Sequence, residues 1–537
     1  MTGYVYRNDW STVSVPELGR WRPSLTVSVV IPAYQCQASL DLTLAALARQ
    51  TYPAELLEVV VVDDGSQPAL TLPTLRPDRC RLVRPTRGWG RANALHHGVR
   101  ESTGEVIHWL DADLLAFPSH VEAQARWHHQ LTYAVTLGWK RFVPVSPGGA
   151  HWPSPDQVAD AWAAGAADQL FAGLPSTGHD HVERRIAATN QLRDADHLGF
   201  LAHVGATAAL RRELYEAAGG LDTALRLGED TEFGYRLAQA GGVFVPVPRA
   251  RSWHLGASHM MRHEAALQRY NQPFLANRMP QPGWLRRSAS AAAVPLVTVE
   301  TEFGQGSLEQ VRAVVDALLA SDEPDLRVRL VGSWSAVTGR RYAPLADPAG
   351  DLRLVAETYR SEPRVRLAEQ PVATAFPSPY LLRLPAGCLL GRQAVRRLVA
   401  YADQRRHGLV RVPVRPGAAA VLWRTAAVHR ARWVRRTGEP LAEAVARVHG
   451  AATLPPAAIG LADIATLTDA DLARVVADPP RPSAAGPLPM VVEVAGVRSL
   501  LQATWLVARL AAVRAGLAAS AAVRRGRHRI GAGRERG

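Results

Sequence analysis

Four stretches decide the fold: LTVSVVIP at 25–32, SLDLTLAALARQ at 39–50, LLEVVVVDDGS at 56–66 and GEVIHWLDAD at 104–113. The first, third and fourth are apolar runs without alternation, the pattern of strands in a parallel sheet covered on both faces. The second reads as a helix. Strand, helix, strand, and then a third strand imply a doubly wound α/β domain whose ligand site lies beyond the carboxyl ends of the strands. Asp63-Asp64-Gly65 and Asp111-Ala112-Asp113 both fall at such ends.

Working outward, residues 114–200 hold several His and Trp, a Pro/Gly stretch and a helix at HVERRIAATNQL, and read as an insertion or acceptor-side wall. Order returns with GATAALRRELYEAAGGLD at 205–222 and LGEDTEFGYRLAQAGG at 227–242, a helical pattern with a Gly-Gly stop before the strand VFVPVP. QPGWLRRSASAAAVP at 281–295 has linker composition.

After that linker the order repeats. PLVTVETEFGQGSLEQVRAVVDALLASDEPDLRVRLVGS follows the pattern of residues 25–66, YLLRLPAGCLL lies over VIHWLDADLL, AVLWRTAAVHRA over TAALRRELYEAA, and TGEPLAEAVARVHGA over LGEDTEFGYRLAQAG. In this alignment Asp111 and Asp113 become Pro385 and Gly387, the DDG turn becomes Val331-Gly332-Ser333, and Asp230 becomes Pro440, while Glu229 keeps a counterpart in Glu439. Internal repeats reveal architecture, although two apolar βα units also converge on such a pattern. The expected organisation is a first α/β domain at 1–290, a degenerate α/β copy at 291–455, a Pro/Ala-rich connector at 456–496 and a basic amphipathic or flexible tail at 497–537.

Composition narrows the function classes. The 537 residues carry 62 Lys+Arg against 48 Asp+Glu, a net charge of +14, with 47% hydrophobic residues, which rules out wholesale disorder. Residues 1–290 hold 28 basic and 27 acidic side chains, so this half is no nucleic-acid surface, and the last 41 residues hold nine Arg against Glu535 alone. That Ala/Leu/Arg tail suits either solvent or an anionic membrane surface. Lys140 is the only lysine, and the Arg bias reads as codon usage of a GC-rich genome. Cys36, Cys80 and Cys388 form no CxxC or Cys/His cluster and read as thiols of a reducing compartment. The polar, aromatic N-terminus has no signal-peptide core, and the longest apolar segment is cut by Arg509 and Arg514. The expected location is cytoplasmic, with the inner face of the plasma membrane open to the tail.

Asp-Ala-Asp occurs at 111, 194 and 469, and only the first terminates an apolar strand. There the carboxylates can share a divalent cation with substrate phosphates. In order and spacing, VSVVIPAYQ, VVVVDDGS, GRANALHHG, GEVIHWLDAD, GATAALRR through GGLD, GEDTEFGYRL and SWHLGASH resemble the inverting nucleotide-sugar glycosyltransferases of family 2, which have the GT-A fold. The resemblance covers about residues 25–260. It implies a nucleotide-sugar donor, a glycan or lipid-linked hydroxyl acceptor of the cell envelope, and Mn²⁺ or Mg²⁺ as cofactor. It implies Asp113 as metal ligand, Asp111 for metal and ribose, and His254 as a later ligand, a residue type that suits Mn²⁺ better. Pro32 and Tyr34 would frame the base, Asp64 would accept a base N–H, and Asp63 would brace the turn. Arg91, where family members often have Lys, would touch the diphosphate or nucleotide, and His96 departs from the usual Asn. Asp230 would be the base that inversion by single displacement needs, with Glu229 shaping the pocket or binding acceptor hydroxyls.

Each assignment has a plainer competitor. Asp-Gly-Ser closes turns without a ligand, acids at a helix start favour the helix dipole, and His254 reads equally as a buried structural histidine. His179-Asp180-His181 reads as a solvent-facing loop, and Trp89 and Trp109 as sugar platforms or core. A catalytically silent sugar or nucleotide sensor is the alternative class, and it describes the second domain well; that domain would serve as scaffold, acceptor platform or homo-oligomer surface. A nucleotidyltransferase would carry a Gly-rich basic loop after the first strand, and IPAYQCQAS is neither.

Overall fold

A computed structural model of the chain describes residues 4–283 and 292–468, except 305 and 342, together with residue 470. The first sheet is built from β1 (Val27–Ala33), β2 (Leu57–Asp63), β3 (Cys80–Val83), β4 (Val106–Trp109), β5 (Leu114–Ala116), β6 (Ala134–Val143), β7 (Ala208–Arg211) and β8 (Val243–Leu255). Their spatial order is β3-β2-β1-β4-β7-β6-β8-β5. β1, β2, β3 and β4 run parallel, β7 is antiparallel to both neighbours, and β6 is parallel to β8.

The lack of alternation in β1 and β2 has a direct cause. Val27, Val29, Ile31, Val59 and Val61 pack on Leu40, Leu44 and Leu47 of the helix Gln37–Leu47. Val30, Val60 and Val62 face the other way, onto Leu95 and Val99 of the helix Arg91–Glu101. Each such side chain stabilises the fold by about 1.5–3 kcal/mol when fully buried. The second helix approaches closely because Gly98 has no side chain: a Cβ there would sit 2.4 Å from Val30 Cγ1 and 2.7 Å from Val62 Cγ2. At an exposed helix site Gly→Ala would gain about 1 kcal/mol. Here the overlap outweighs that gain, and Gly98→Ala is expected to destabilise the protein by about 1–3 kcal/mol in chemical denaturation.

The second sheet contains β9 (Val297–Glu302), β10 (Leu326–Val331), β11 (Val365–Ala368), β12 (Tyr380–Leu384), β14 (Leu409–Arg415), β15 (Ala418–Arg424) and β16 (Ala451–Thr453). Its order, β11-β10-β9-β12-β15-β14-β16, reproduces strand for strand the first seven positions of the first sheet. The directions agree as well: β9, β10, β11 and β12 are parallel, β15 is antiparallel to β12 and β14, and β14 is parallel to β16. Pro385-Ala386-Gly387 precedes the short strand β13 (Cys388–Leu390) as Asp111-Ala112-Asp113 precedes β5.

Residues 456–466, expected to open a connector, belong instead to the fold. β17 (Leu461–Asp463) pairs antiparallel with β13, and Ile459, Leu461 and Ile464 enter the apolar core of the second sheet. Apolar side chains spaced among Pro and Ala were enough to bury this segment. Of the remaining connector, the structure describes 467, 468 and 470, and the basic tail at 497–537 lies outside the described residues. No helix among the described residues is long and apolar enough to cross a membrane.

The two sheets share buried polar contacts. The Arg430 guanidinium donates to Gly241 O, to Gly242 O at 2.8 Å and to Arg7 O at 2.7 Å, and Trp433 Nε1 donates to Ala240 O at 3.0 Å. The second Asp-Ala-Asp serves this junction. The Asp196 side chain is buried 3.9 Å from Arg424 and 3.7 Å from His449, and against the upward push of burial the Arg424 charge above all holds its carboxyl far below the usual range.

Candidate active site

The turn after β2 places Asp63 and Asp64 in different roles. Asp63 is buried and accepts the Ser66 N–H at 2.8 Å and the Leu70 N–H at 3.3 Å, so it braces the turn. Asp64 accepts the Gly90 N–H at 2.7 Å, and burial pushes its carboxyl up. With Pro32, Ala33 and Tyr34 it lines a cavity of about 360 Å³ that extends to Arg91, Asp111, Asp113 and His254. Tyr34 is 57% exposed at the mouth, as a platform for a flat ring would be.

Arg91 opens the helix behind this cavity, and its guanidinium is committed. Nε and Nη2 donate to Asp111 Oδ1 at 3.1 and 2.8 Å, and Nη1 donates to Glu229 Oε1 at 2.7 Å. It ties the end of β4 to the helix Glu229–Gln239 rather than standing free. Arg91→Met would leave two carboxylates without their partner, and a loss of about 1–3 kcal/mol in thermal denaturation is expected.

Asp113 differs from Asp111. Among the described residues its Oδ1 atom is buried and accepts no hydrogen bond, and it lies 3.8 Å from His254 Nε2. His254 is buried on β8 against Phe142, ring centroids 4.6 Å apart, and its Nδ1 has no hydrogen-bond partner among the described residues. A buried carboxylate oxygen without a donor costs free energy, and a cation would satisfy it. Asp113 and His254 therefore fit Mn²⁺, which takes both oxygen and imidazole ligands. No group of three His, Cys, Asp or Glu is drawn together for a metal among the described residues, so a cation held by Asp113 and His254 would need further ligands, of the kind substrate phosphates supply.

A second lobe of about 280 Å³ shares Arg91, Asp111 and His254 and continues past Lys140, Phe142, His179, His181, His203, Glu229 and Asp230. Gly228 caps the helix at φ 74°, and a Cβ there would meet Asn271 at 3.2 Å. This turn aims the next two acids. Glu229 is buried under Arg91, whereas Asp230 Oδ1 accepts only from Thr231, N–H at 2.7 Å and Oγ1 at 3.3 Å. Asp230 forms no ion pair among the described residues, and its backbone oxygen is 2.7 Å from His203 Nδ1.

One side chain departs from expectation, and three others settle readings that the sequence left open. His179 is half-buried against Phe142 at 5.7 Å, where burial and the charge of Lys140 push it down to about 2, so it stands neutral on the cavity wall beside the more exposed His181. His96 is turned aside, Nδ1 2.6 Å from Tyr215 Oη. Trp109 is core, packed with Tyr215 and Phe233, while Trp89 is 62% exposed and covered by Arg226 at 4.4 Å. Sequence reasoning missed His203 and Lys140 altogether.

A larger cavity, about 430 Å³, lies at the carboxyl ends of β9 and β10 in the second sheet. Its Asp463 is already paired with Arg415 at 2.8 Å, and Ala386 and Gly387 stand where the first sheet has Ala112 and Asp113. Glu302 and Asp463 are the acids of this cavity, whereas Asp64, Asp111, Asp113, Glu229 and Asp230 line the two lobes at the first sheet.

Comparison with known proteins agrees. Residues 28–217 match the model of Glycosyl transferase family 2, so the first sheet carries a domain of that family. Validoxylamine A glucosyltransferase of Streptomyces hygroscopicus subsp. limoneus is 32% identical over 247 residues, 44% of this chain and 53% of the relative. A probable N-acetylgalactosaminyltransferase 7 of Caenorhabditis elegans is 27% identical over 225 residues, 39% and 35% of the two chains. A mannosyltransferase of Pyrobaculum calidifontis, solved in complex with GDP-Man and Mn²⁺, aligns with TM-score 0.32 at 22% identity, covering 49% of this chain and 64% of that one. The chain spans about half the length of the curated glucosyltransferase it matches.

Proposed function

We propose that this protein is a metal-dependent inverting glycosyltransferase that moves a sugar from a nucleotide-sugar donor to a hydroxyl acceptor. The observation that carries the reading is the orphaned Asp113 Oδ1 facing His254, which also lines the adjoining lobe that presents Asp230. The acceptor class that fits the sequence resemblance is a cell-envelope or lipid-linked glycan.

In this reading Pro32, Tyr34 and Asp64 hold the base, with Asp64 accepting a base N–H. Asp113, His254 and Asp111 would hold the divalent cation, which would supply charge to offset that gathering on the diphosphate. Arg91 keeps Asp111 and Glu229 fixed, so neither must reorganise during reaction. Asp230 takes the acceptor hydroxyl's proton as that oxygen bonds to the anomeric carbon. The bond from that carbon to the diphosphate breaks, and its electron pair leaves with the diphosphate. The shared strand order and directions support the second domain as a degenerate copy that has kept its architecture and lost its acids.

The test is a panel of UDP-, GDP- and TDP-sugars offered to purified protein with Mn²⁺ or Mg²⁺. Slow hydrolysis of one donor is expected. Binding of a donor without turnover under either metal would favour a silent sensor instead.

A further inference from the structure

Among 62 Lys and Arg residues the chain has one lysine, and it stands inside the catalytic cavity. Lys140 is 7% exposed, on β6. Its strand partner is Ser252, and Phe142, two residues on and therefore on the same face, is the partner of His254. That register directs Lys140 to the side of the sheet where His254 meets Asp113. Its ammonium lies 5.9 Å from the Phe142 ring centroid and makes no hydrogen bond and no ion pair within 4.0 Å among the described residues, although Asp111, Asp230 and Asp113 all act on it electrostatically. Burial of an unpaired ammonium is costly, and a core position would more readily hold an apolar side chain. Arg91, the other Lys or Arg of this lobe, is fully engaged by Asp111 and Glu229. The diphosphate contact expected of Arg91 is thus left to another cation.

We propose that Lys140 is the phosphate-binding cation of the transfer cavity, donating its free N–H groups to a phosphate oxygen brought in by substrate. This rests on the glycosyltransferase reading and names a residue that reading does not include. Two substrates bring such an oxygen: the donor, through its leaving diphosphate, and a phosphorylated lipid acceptor. A point charge with three rotatable donors suits either. The flanking His179 is neutral and does not repel the ammonium.

Because Lys140 is the only lysine, protein grown on isotope-labelled lysine gives a single ε-methylene NMR signal from the unaltered enzyme. With Mg²⁺ saturating throughout, UDP or GDP, whichever binds in a parallel calorimetric titration, is expected to move that signal, while the matching monophosphate leaves it in place. A signal indifferent to the diphosphate but moved by an isoprenyl monophosphate assigns the acceptor phosphate instead. Lys140→Met, of similar length, is expected to weaken binding of the responsive ligand by about tenfold or more. A diphosphate that binds while neither phosphate ligand moves the signal, or a Lys140→Met protein that binds as tightly as wild type, overturns the assignment and leaves the glycosyltransferase reading intact. If neither diphosphate nor nucleotide sugar binds the wild type, both fall.

Discussion

Asp113→Ala is expected to lower donor turnover by about a thousandfold or more, and to leave the folded protein as stable as wild type or slightly more so. The two effects have one origin. Asp113 Oδ1 is buried without a hydrogen-bond donor and sits opposite His254, so the fold gains nothing from it. Removing such an atom relieves a desolvation cost rather than breaking a contact. Removing a metal ligand, in contrast, withdraws several kcal/mol of charge stabilisation from the transition state, and each 1.36 kcal/mol is a factor of about ten in rate. A melting curve beside a turnover assay separates this from collapse of the site: a fall in both would mark Asp113 as structural.

Asp230→Asn is expected to lower kcat by about 10²–10⁴-fold, the range for losing a positioned general base, with donor binding unchanged. The amide oxygen of Asn can keep the bond from the Thr231 N–H, which the carboxylate now accepts at 2.7 Å. The helix start is therefore preserved while the proton acceptor is lost. Glu229→Gln is a useful contrast, since Glu229 is pinned by Arg91 and buried. Its loss disturbs the strut before it touches the proton transfer. Comparing kcat with the dissociation constant of the nucleoside diphosphate distinguishes the two: Asp230→Asn changes the first alone.

The parallel half of the sheet was legible because both faces of β1 and β2 are covered, which leaves largely apolar runs without alternation, the second ending in Asp63. The strands of the second sheet were legible for the same reason, and their spatial order matches that of the first sheet. Residues 114–200 were opaque because β6 breaks the apolar pattern with Trp139, Lys140 and Arg141, as an exposed loop would. Only pairing with β8 shows that Lys140 faces a cavity. Arg91 was expected on the diphosphate, yet its guanidinium is held by Asp111 and by Glu229, 138 residues away, and no local pattern carries that information. The same limit applies to Asp196, whose motif matches Asp111 letter for letter but whose partner Arg424 comes from the other sheet.

The central claim is one of location: metal and diphosphate meet at the carboxyl ends of the first sheet's strands and not in the roomier cavity of the second. Crystals grown with Mn²⁺ and the nucleoside diphosphate that binds, measured at a wavelength where manganese scatters anomalously, test this directly. The expected result is one anomalous peak between Asp113 and His254, joined to the diphosphate, with the base beside Tyr34 and Asp64. A nucleotide seated against Arg415 and Asp463, or a peak away from Asp113, would contradict the account.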